Sequence, residues 1–191
     1  MDSVYESSNS YYIVLELFTG GNLNEYIIQN GILNEIKAAF IVKNILKGVN
    51  YLHGLNIMHR DIKPENILFR TSSILDETQV AIADLGLATY NDSEPYIFPR
   101  CGTPGYVAPE VAALKNSDDQ YELKCDLYSV GVTLFYVLTG KLPYPGIKDT
   151  MTENRECKLD FSKAKNFCNF SKAGNFSLFF LTSNFYICFE I

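Results

Sequence analysis

His59-Arg60-Asp61-Ile62-Lys63-Pro64-Glu65-Asn66 decides how this chain is read. Within eight residues it sets a carboxylate, a cation and an amide at short fixed offsets. A helical pattern precedes it and a short apolar run, Ile67-Leu68-Phe69, follows, so the group lies on a loop between a helix and a strand. Those residue types match what phosphoryl transfer from ATP to a hydroxyl requires. A carboxylate orients the hydroxyl and accepts its proton, a cation neutralises the transferring phosphoryl, and hard oxygen donors hold Mg²⁺. Asp61, Lys63 and Asn66 can fill those three roles. A polar surface loop accounts for any one of these residues, but not for the eight together.

Upstream, Asn34 to His53 predicts a helix. Ile36, Phe40, Ile45, Val49 and Leu52 form its buried face, and Gly54 its C-cap. Before that, Tyr11 to Leu17 reads as a strand stopped by Thr19-Gly20-Gly21. Asn22 with Glu25 forms a capping box for a short helix through Ile28, ended by Gly31. Downstream, Ile67–Phe69 and Gln79–Ala83 are two short strands around a polar turn near Ser72 to Glu77. Asp84-Leu85-Gly86 follows the second strand. A carboxylate and a glycine at a strand end are a common turn and a weak signal alone, but the chemistry needs a second Mg²⁺ ligand and this Asp lies one hairpin away from Asn66. From Asp84 to Glu110 the chain is turn-rich, the kind of long loop that usually carries function. Lys124 to Thr139 predicts a helix with few polar positions, buried on most sides and closed by Gly140 and Pro143. Together these elements give an α+β chain in which helix dominates.

Bulk properties exclude several classes. A net charge of −6 and a pI near 4.9 argue against a nucleic-acid binder, which needs a basic surface. The five scattered cysteines and two histidines lack metal-ligand spacing, which argues against zinc, and reduced thiols suit a cytoplasmic or nuclear setting. Met1-Asp2-Ser3-Val4-Tyr5-Glu6 has neither a basic start nor an apolar run, so no signal peptide is read there. The apolar stretch Leu178 to Phe189, broken by Thr182, Ser183 and Asn184, falls short of a bilayer span of about 20 residues. Phe161 to Phe167 recurs loosely as Phe170 to Phe176, and residues 162–191 read as a tail of undetermined structure.

Four motifs in order resemble the eukaryotic serine/threonine protein kinases. They are His59 to Asn66, then Asp84-Leu85-Gly86-Leu87-Ala88, then Gly102-Thr103-Pro104-Gly105-Tyr106-Val107-Ala108-Pro109-Glu110, then Cys125-Asp126-Leu127-Tyr128-Ser129-Val130-Gly131-Val132. In wording, Cys101 to Glu110 and Gly140-Lys141-Leu142-Pro143-Tyr144 resemble the calcium/calmodulin-dependent group. The resemblance implies a kinase-like fold: a mainly helical C-terminal lobe with a hinge strand and short β-hairpins, over residues 1–161, truncated at both ends. It also implies a set of roles. Asp61 is the catalytic base, Lys63 bridges the γ-phosphate and the substrate hydroxyl, and lysine there marks serine/threonine specificity. Asn66 and Asp84 bind Mg²⁺. Glu16 and Phe18 offer hinge backbone groups to adenine, with Leu15 as gatekeeper and Leu68 as the pocket floor. Thr103 bonds to Asp61 and Lys63 and, with Glu65, shapes the peptide platform. Asp126 holds the backbone of His59 and Arg60, although capping its own helix is an equal reading. Glu110 belongs to a structural ion pair. The implied ligands are ATP, Mg²⁺ and a protein bearing a Ser or Thr acceptor. No EF-hand or basic calmodulin-binding helix is read.

The pattern also departs from the family. The 191 residues hold no Gly-x-Gly-x-x-Gly loop, and no lysine-bearing strand precedes residue 11. Because this catalysis is almost wholly positioning and electrostatics, the polypeptide alone is expected to be a very poor catalyst. Leu85 replaces a phenylalanine with little change in packing. After Phe161 the family's remaining helices, with the arginine that would pair with Glu110, do not follow, which would leave Glu110 costly or exposed. Pro99 stands where many kinases carry a phosphorylated threonine, so Arg60 lacks a phosphate partner. Thr89, Ser93 and Tyr96 are alternatives, though surface hydroxyls are common. Two other readings remain: an inactive kinase-like docking module, and a small-molecule phosphotransferase. The second lacks a reason to build the Gly-Thr-Pro-Gly-Tyr platform.

Overall fold

The computed structural model describes residues 2–71, 80–93, 96–116 and 120–143, together with the backbone of two strands near the C-terminus. In chain order the first elements are β1 (Ser3–Glu6), β2 (Tyr11–Val14), α1 (Leu23–Asn30), α2 (Glu35–Gly54) and β3 (Ile57–Met58). A 3₁₀ turn at Pro64–Asn66 leads into β4 (Ile67–Phe69), and β5 (Val80–Ile82) and β6 (Thr89–Tyr90) follow. Then come α3 (Pro109–Ala112), α4 (Lys124–Thr139), β7 (Phe176–Leu181) and β8 (Asn184–Phe189). Among the described residues the sheets are two-stranded and antiparallel: β1–β2, β3–β6, β4–β5 and β7–β8. The α+β class and the dominance of helix are as the sequence implied.

Helix α4 lies between two cores, which is why its apolar pattern has no polar face. Val130, Leu134, Val137 and Leu138 pack with Ile41, Val42, Ile45 and Val49 of α2 and with Leu23, Ile67 and Phe69. Cys125, Tyr128 and Val132 pack instead with Met58, Tyr96, Tyr106, Val111 and Tyr121. Each fully buried aliphatic side chain here contributes about 1.5–3 kcal/mol of hydrophobic stabilisation. Gly140 closes the helix in the left-handed conformation, φ 69°.

Local signals place most termini. The Asn22–Glu25 capping box starts α1, with both reciprocal bonds present, and Asn34 caps α2 by accepting from Lys37 N at 2.9 Å. The buried face of α2 is corrected. Its stripe is Ala38, Ile41, Val42, Ile45 and Val49, whereas Ile36 is 80% exposed. Two residues are about 200° apart around a helix, so Ile36 stands opposite Ala38 and away from α4. Gly54 is also not the cap. It is the last helical residue, Leu55 caps, and Asn56 takes the left-handed turn at φ 60°.

The loop read between Asp84 and Glu110 contains more order than its composition suggests. It holds a 3₁₀ turn at Leu85–Leu87, strand β6 and the start of α3. Strand β6 exists because it pairs with β3, Ile57 facing Tyr90 and Met58 facing Thr89. That pairing carries the loop back to the segment just before His59.

Strand β2 ends at Val14, short of the predicted Leu17, and the β1–β2 hairpin is exposed along nearly its whole length. Leu15 and Leu17 are 64% and 79% exposed. No described helix is long and apolar enough to cross a membrane. The turn near Ser72 to Glu77, the stretch around Phe161 and the repeat up to Asn175 lie outside the described residues. Residues Phe176–Leu181 and Asn184–Phe189, read as tail, form the antiparallel pair β7–β8.

Candidate active site

The chain from His59 to Asn66 is anchored from beneath by one carboxylate. Asp126, fully buried, accepts from His59 N (Oδ2, 2.8 Å) and from Arg60 N (Oδ1, 2.8 Å). It also pairs with His53 Nε2 at 2.9 Å. A buried carboxylate must be met by donors, and three donors from the loop and the end of α2 meet this one. Asp126 does not cap its own helix: α4 begins at Lys124, and its N-cap Leu123 makes no side-chain cap bond. The sequence reading gave no role to His53. A buried acid with room for a third donor was the one available signal.

Above that anchor the loop is bent sharply. Arg60 adopts φ 69°, a left-handed conformation rare for a residue with a side chain. Such strain persists where surrounding bonds over-determine it, and the Asp126 bonds on either side of the peptide do so. His59, fully buried, donates from Nε2 to Ala83 O at 3.0 Å, while its Nδ1 accepts from Asp61 N at 3.3 Å. Those two partners select the Nε2–H tautomer.

Asp61 is the centre of the cluster. It is only 7% exposed. Thr103 Oγ1 donates to its Oδ1 at 2.6 Å, Lys63 Nζ lies 2.8 Å from its Oδ2, and Asn66 Nδ2 reaches the same oxygen at 3.2 Å. Lys63 Nζ also donates to Thr103 Oγ1 at 2.7 Å, and Asn66 Nδ2 to Asp61 O at 2.9 Å. Burial pushes the Asp61 carboxyl up. Hydrogen bonds from Lys63 and Thr103, the Lys63 charge and the Asn66 bond outweigh that and hold it below its ordinary value of 3.8.

A pH dependence follows. The folded-state value lies below the unfolded one, so the cluster's contribution to stability is present above about pH 4. It is lost as pH falls through the folded value. Carbon-13 carboxyl titration should show Asp61 ionised throughout pH 5–8. A midpoint above 5 would contradict the cluster as described.

Asp84 is brought beside this group by backbone. Ala83 N donates to Asn66 O at 2.8 Å, Ala83 O accepts from His59, and Ile82 faces Ile67 in the β4–β5 ladder. Asp84 itself is exposed and left-handed at φ 62°, with Oδ1 accepting from Gly86 N at 3.1 Å. The Asn66 amide nitrogen is committed to Asp61, which leaves its oxygen for a cation. Asn66 and Asp84 are the groups here that could hold a hard cation through oxygen.

Thr103 joins Asp61 and Lys63 because Gly102 lets the chain approach closely: at φ 110°, an added Cβ would lie 2.8 Å from Arg60 O. Glu65 and Glu110 are exposed. Leu68 is half-buried and bridges Asn22. Glu16 and Phe18 are tied to the end of β4 by Arg70, a residue the sequence reading passed over. Arg70 donates to both Glu16 oxygens, at 2.5 and 2.8 Å, and its guanidinium lies 5.4 Å from the Phe18 ring centre. The Arg70 hydrogen bond holds the Glu16 carboxyl below the usual range. Backbone bonds continue the attachment, from Thr19 N to Arg70 O and from Gly20 N to Phe69 O. Gly20 is required there, since a Cβ would meet Thr71 O at 2.1 Å.

Comparison with known proteins agrees with this geometry. The protein kinase domain family matches residues 1–177. The chain is 40% identical over 153 residues to myosin light chain kinase A of Dictyostelium discoideum, covering 80% of this chain and 49% of that protein. It is 43% identical over 146 residues to calcium-dependent protein kinase 3 of Plasmodium yoelii yoelii, covering 76% of this chain and 26% of that one. The same protein of Plasmodium berghei matches at 43% over 146 residues, covering 76% and 25%. The chain therefore spans about half the length of the first relative and about a quarter of the others. These relatives accord with the resemblance in wording to the calcium/calmodulin-dependent group. The chain belongs to the protein kinase family.

Proposed function

We propose that this chain forms the catalytic-loop and substrate-facing part of a serine/threonine kinase that transfers the γ-phosphoryl of Mg-ATP to protein Ser or Thr hydroxyls. The observation that carries the reading is the Asp61 cluster, in which one ionised carboxylate is bonded at once to Lys63, Thr103 and Asn66. Asp61 orients the acceptor hydroxyl and takes its proton, and Lys63 meets the transferring phosphoryl while holding Asp61 ionised. Thr103 and Glu65 flank the acceptor peptide. Asn66 and Asp84 would hold Mg²⁺, which supplies charge neutralisation on the phosphates when bound. Glu16 and Phe18 offer backbone groups to the adenine edge, and Leu68 lies beneath it. The protein acts in the cytoplasm or nucleus.

The test is a chimera in which the residues preceding the matched segment of the Dictyostelium relative are joined ahead of Met1. With Mg-ATP and mixed peptides, the chimera should phosphorylate Ser and Thr, while the 191-residue chain alone shows no detectable turnover. A chimera that binds ATP but transfers nothing, or transfers to Tyr alone, overturns the proposal.

A further inference from the structure

Arg60 is a buried cation, 7% exposed, yet the groups that its guanidinium meets among the described residues are neutral. Its Nε donates to Leu87 O at 2.6 Å, and its Nη1 donates to Phe98 O at 2.7 Å and to Tyr121 Oη at 3.0 Å. Its guanidinium lies over the Tyr96 ring, 5.5 Å from the centre. Buried guanidinium groups ordinarily meet a carboxylate or a phosphate. Here two carbonyl dipoles, a phenol and the negative face of an aromatic ring share that task.

The partners lie on three stretches far apart in sequence, so the guanidinium cross-links them. Leu87 belongs to the turn after Asp84, Phe98 to the approach to Thr103, and Tyr121 to the segment before α4. The two tyrosines are themselves joined. Their rings are 5.3 Å apart, and Tyr96 Oη donates to Asn91 O at 3.0 Å and to Tyr121 O at 3.2 Å. Burial pushes the Tyr121 phenol far up, against the opposing effect of Arg60, so it remains a neutral acceptor. Arg60 directly precedes Asp61, and its Nη1 bond to Phe98 O ties the approach to Thr103 to the loop that carries Asp61.

We infer that Tyr96 and Tyr121 are positioning residues: with the Leu87 and Phe98 carbonyls they seat Arg60, so that Leu87, Phe98 and Thr103 keep their arrangement around Asp61 without a phosphate on the segment. Pro99, which has no hydroxyl to modify, lies beside Phe98 in this arrangement. The inference rests on the kinase reading for its meaning, but its test does not read catalysis. Failure of one is therefore distinguishable from failure of the other.

The experiment is hydrogen exchange on the full chain made free of phosphate, as verified by mass spectrometry. The Asn91 N–H, bonded to Asn56 O, and the Tyr106 N–H, bonded to Thr103 O, are the reporters. Both should be protected in the unmodified chain. Tyr96→Leu, which removes the ring face, should accelerate their exchange about tenfold while α2 and α4 stay unchanged. Tyr96→Phe, which keeps the face, should restore most of the protection. Tyr121→Phe removes one oxygen and should give a several-fold acceleration. It decides the matter if the leucine variant loses protection in α2 and α4 as well. Protection that appears only after Thr89 or Ser93 is phosphorylated overturns the inference. So does equal exchange in the Tyr96→Leu and Tyr96→Phe variants, or no change in Tyr121→Phe.

Discussion

Alanine at position 126 should destabilise the chain by about 3–5 kcal/mol, the cost of removing one partner from a buried charged network. The side chain is fully buried and accepts from His59 N, Arg60 N and His53 Nε2. Its loss leaves two buried loop N–H groups without their acceptor, at a cost of about 1–3 kcal/mol each. It also releases the strained φ of Arg60, which those bonds hold in place. Asp126→Asn separates charge from hydrogen bonding. Its single oxygen serves one N–H while its amide faces the other donor, so it should fall between wild type and alanine. Urea denaturation followed by circular dichroism measures both. A change below about 1 kcal/mol for alanine would mean that the loop is held by something other than this anchor.

The largest catalytic effect is expected at Asp61. In the chimera described above, Asp61→Asn should lower phosphoryl transfer about 10²–10⁴-fold, the usual worth of a positioned general base. That range corresponds to about 2.7–5.5 kcal/mol of transition-state stabilisation. The substitution preserves shape but inverts the hydrogen-bonding character of one oxygen. Oδ2 accepts from Lys63 Nζ and Asn66 Nδ2, and an amide nitrogen there would set a donor against both. Turning the amide over moves the conflict to Thr103, which donates to Oδ1. Nucleotide affinity should change only a few-fold, because Asp61 is not among the metal-holding donors. Measuring kcat and nucleotide binding separately distinguishes this from simple loss of fold. A variant retaining more than a tenth of the wild-type kcat would remove Asp61 from the role of base.

The two results probe different layers of one construction. Asp126 sets where the loop backbone runs, and Asp61 uses that placement. The comparison of Arg60 and Lys63 makes the same point. Both cations flank Asp61, but Lys63 is turned toward the acid while Arg60 is turned back into the protein against Tyr96.

Much of this was legible in the residues because it depends on local chemistry. The capping box at Asn22 and Glu25, the Asn34 cap, the hairpin strands and the full span of α4 are set by short-range bonds and periodicity. The clustering around Asp61 was legible for a related reason: Asp61, Lys63 and Asn66 lie within six residues on one bent loop, so the chain itself keeps them close. What stayed hidden required distant partners. Strand β6 exists only against β3, the facing stripe of α2 is chosen by α4, and the partnerships of Arg60 with Tyr121 and of Arg70 with Glu16 span dozens of residues. Sequence alone therefore determined which groups could do the chemistry and which turns could present them. Tertiary structure decided which way each group faces, because a buried carboxylate or guanidinium is costly until a particular partner arrives, and no local pattern names that partner.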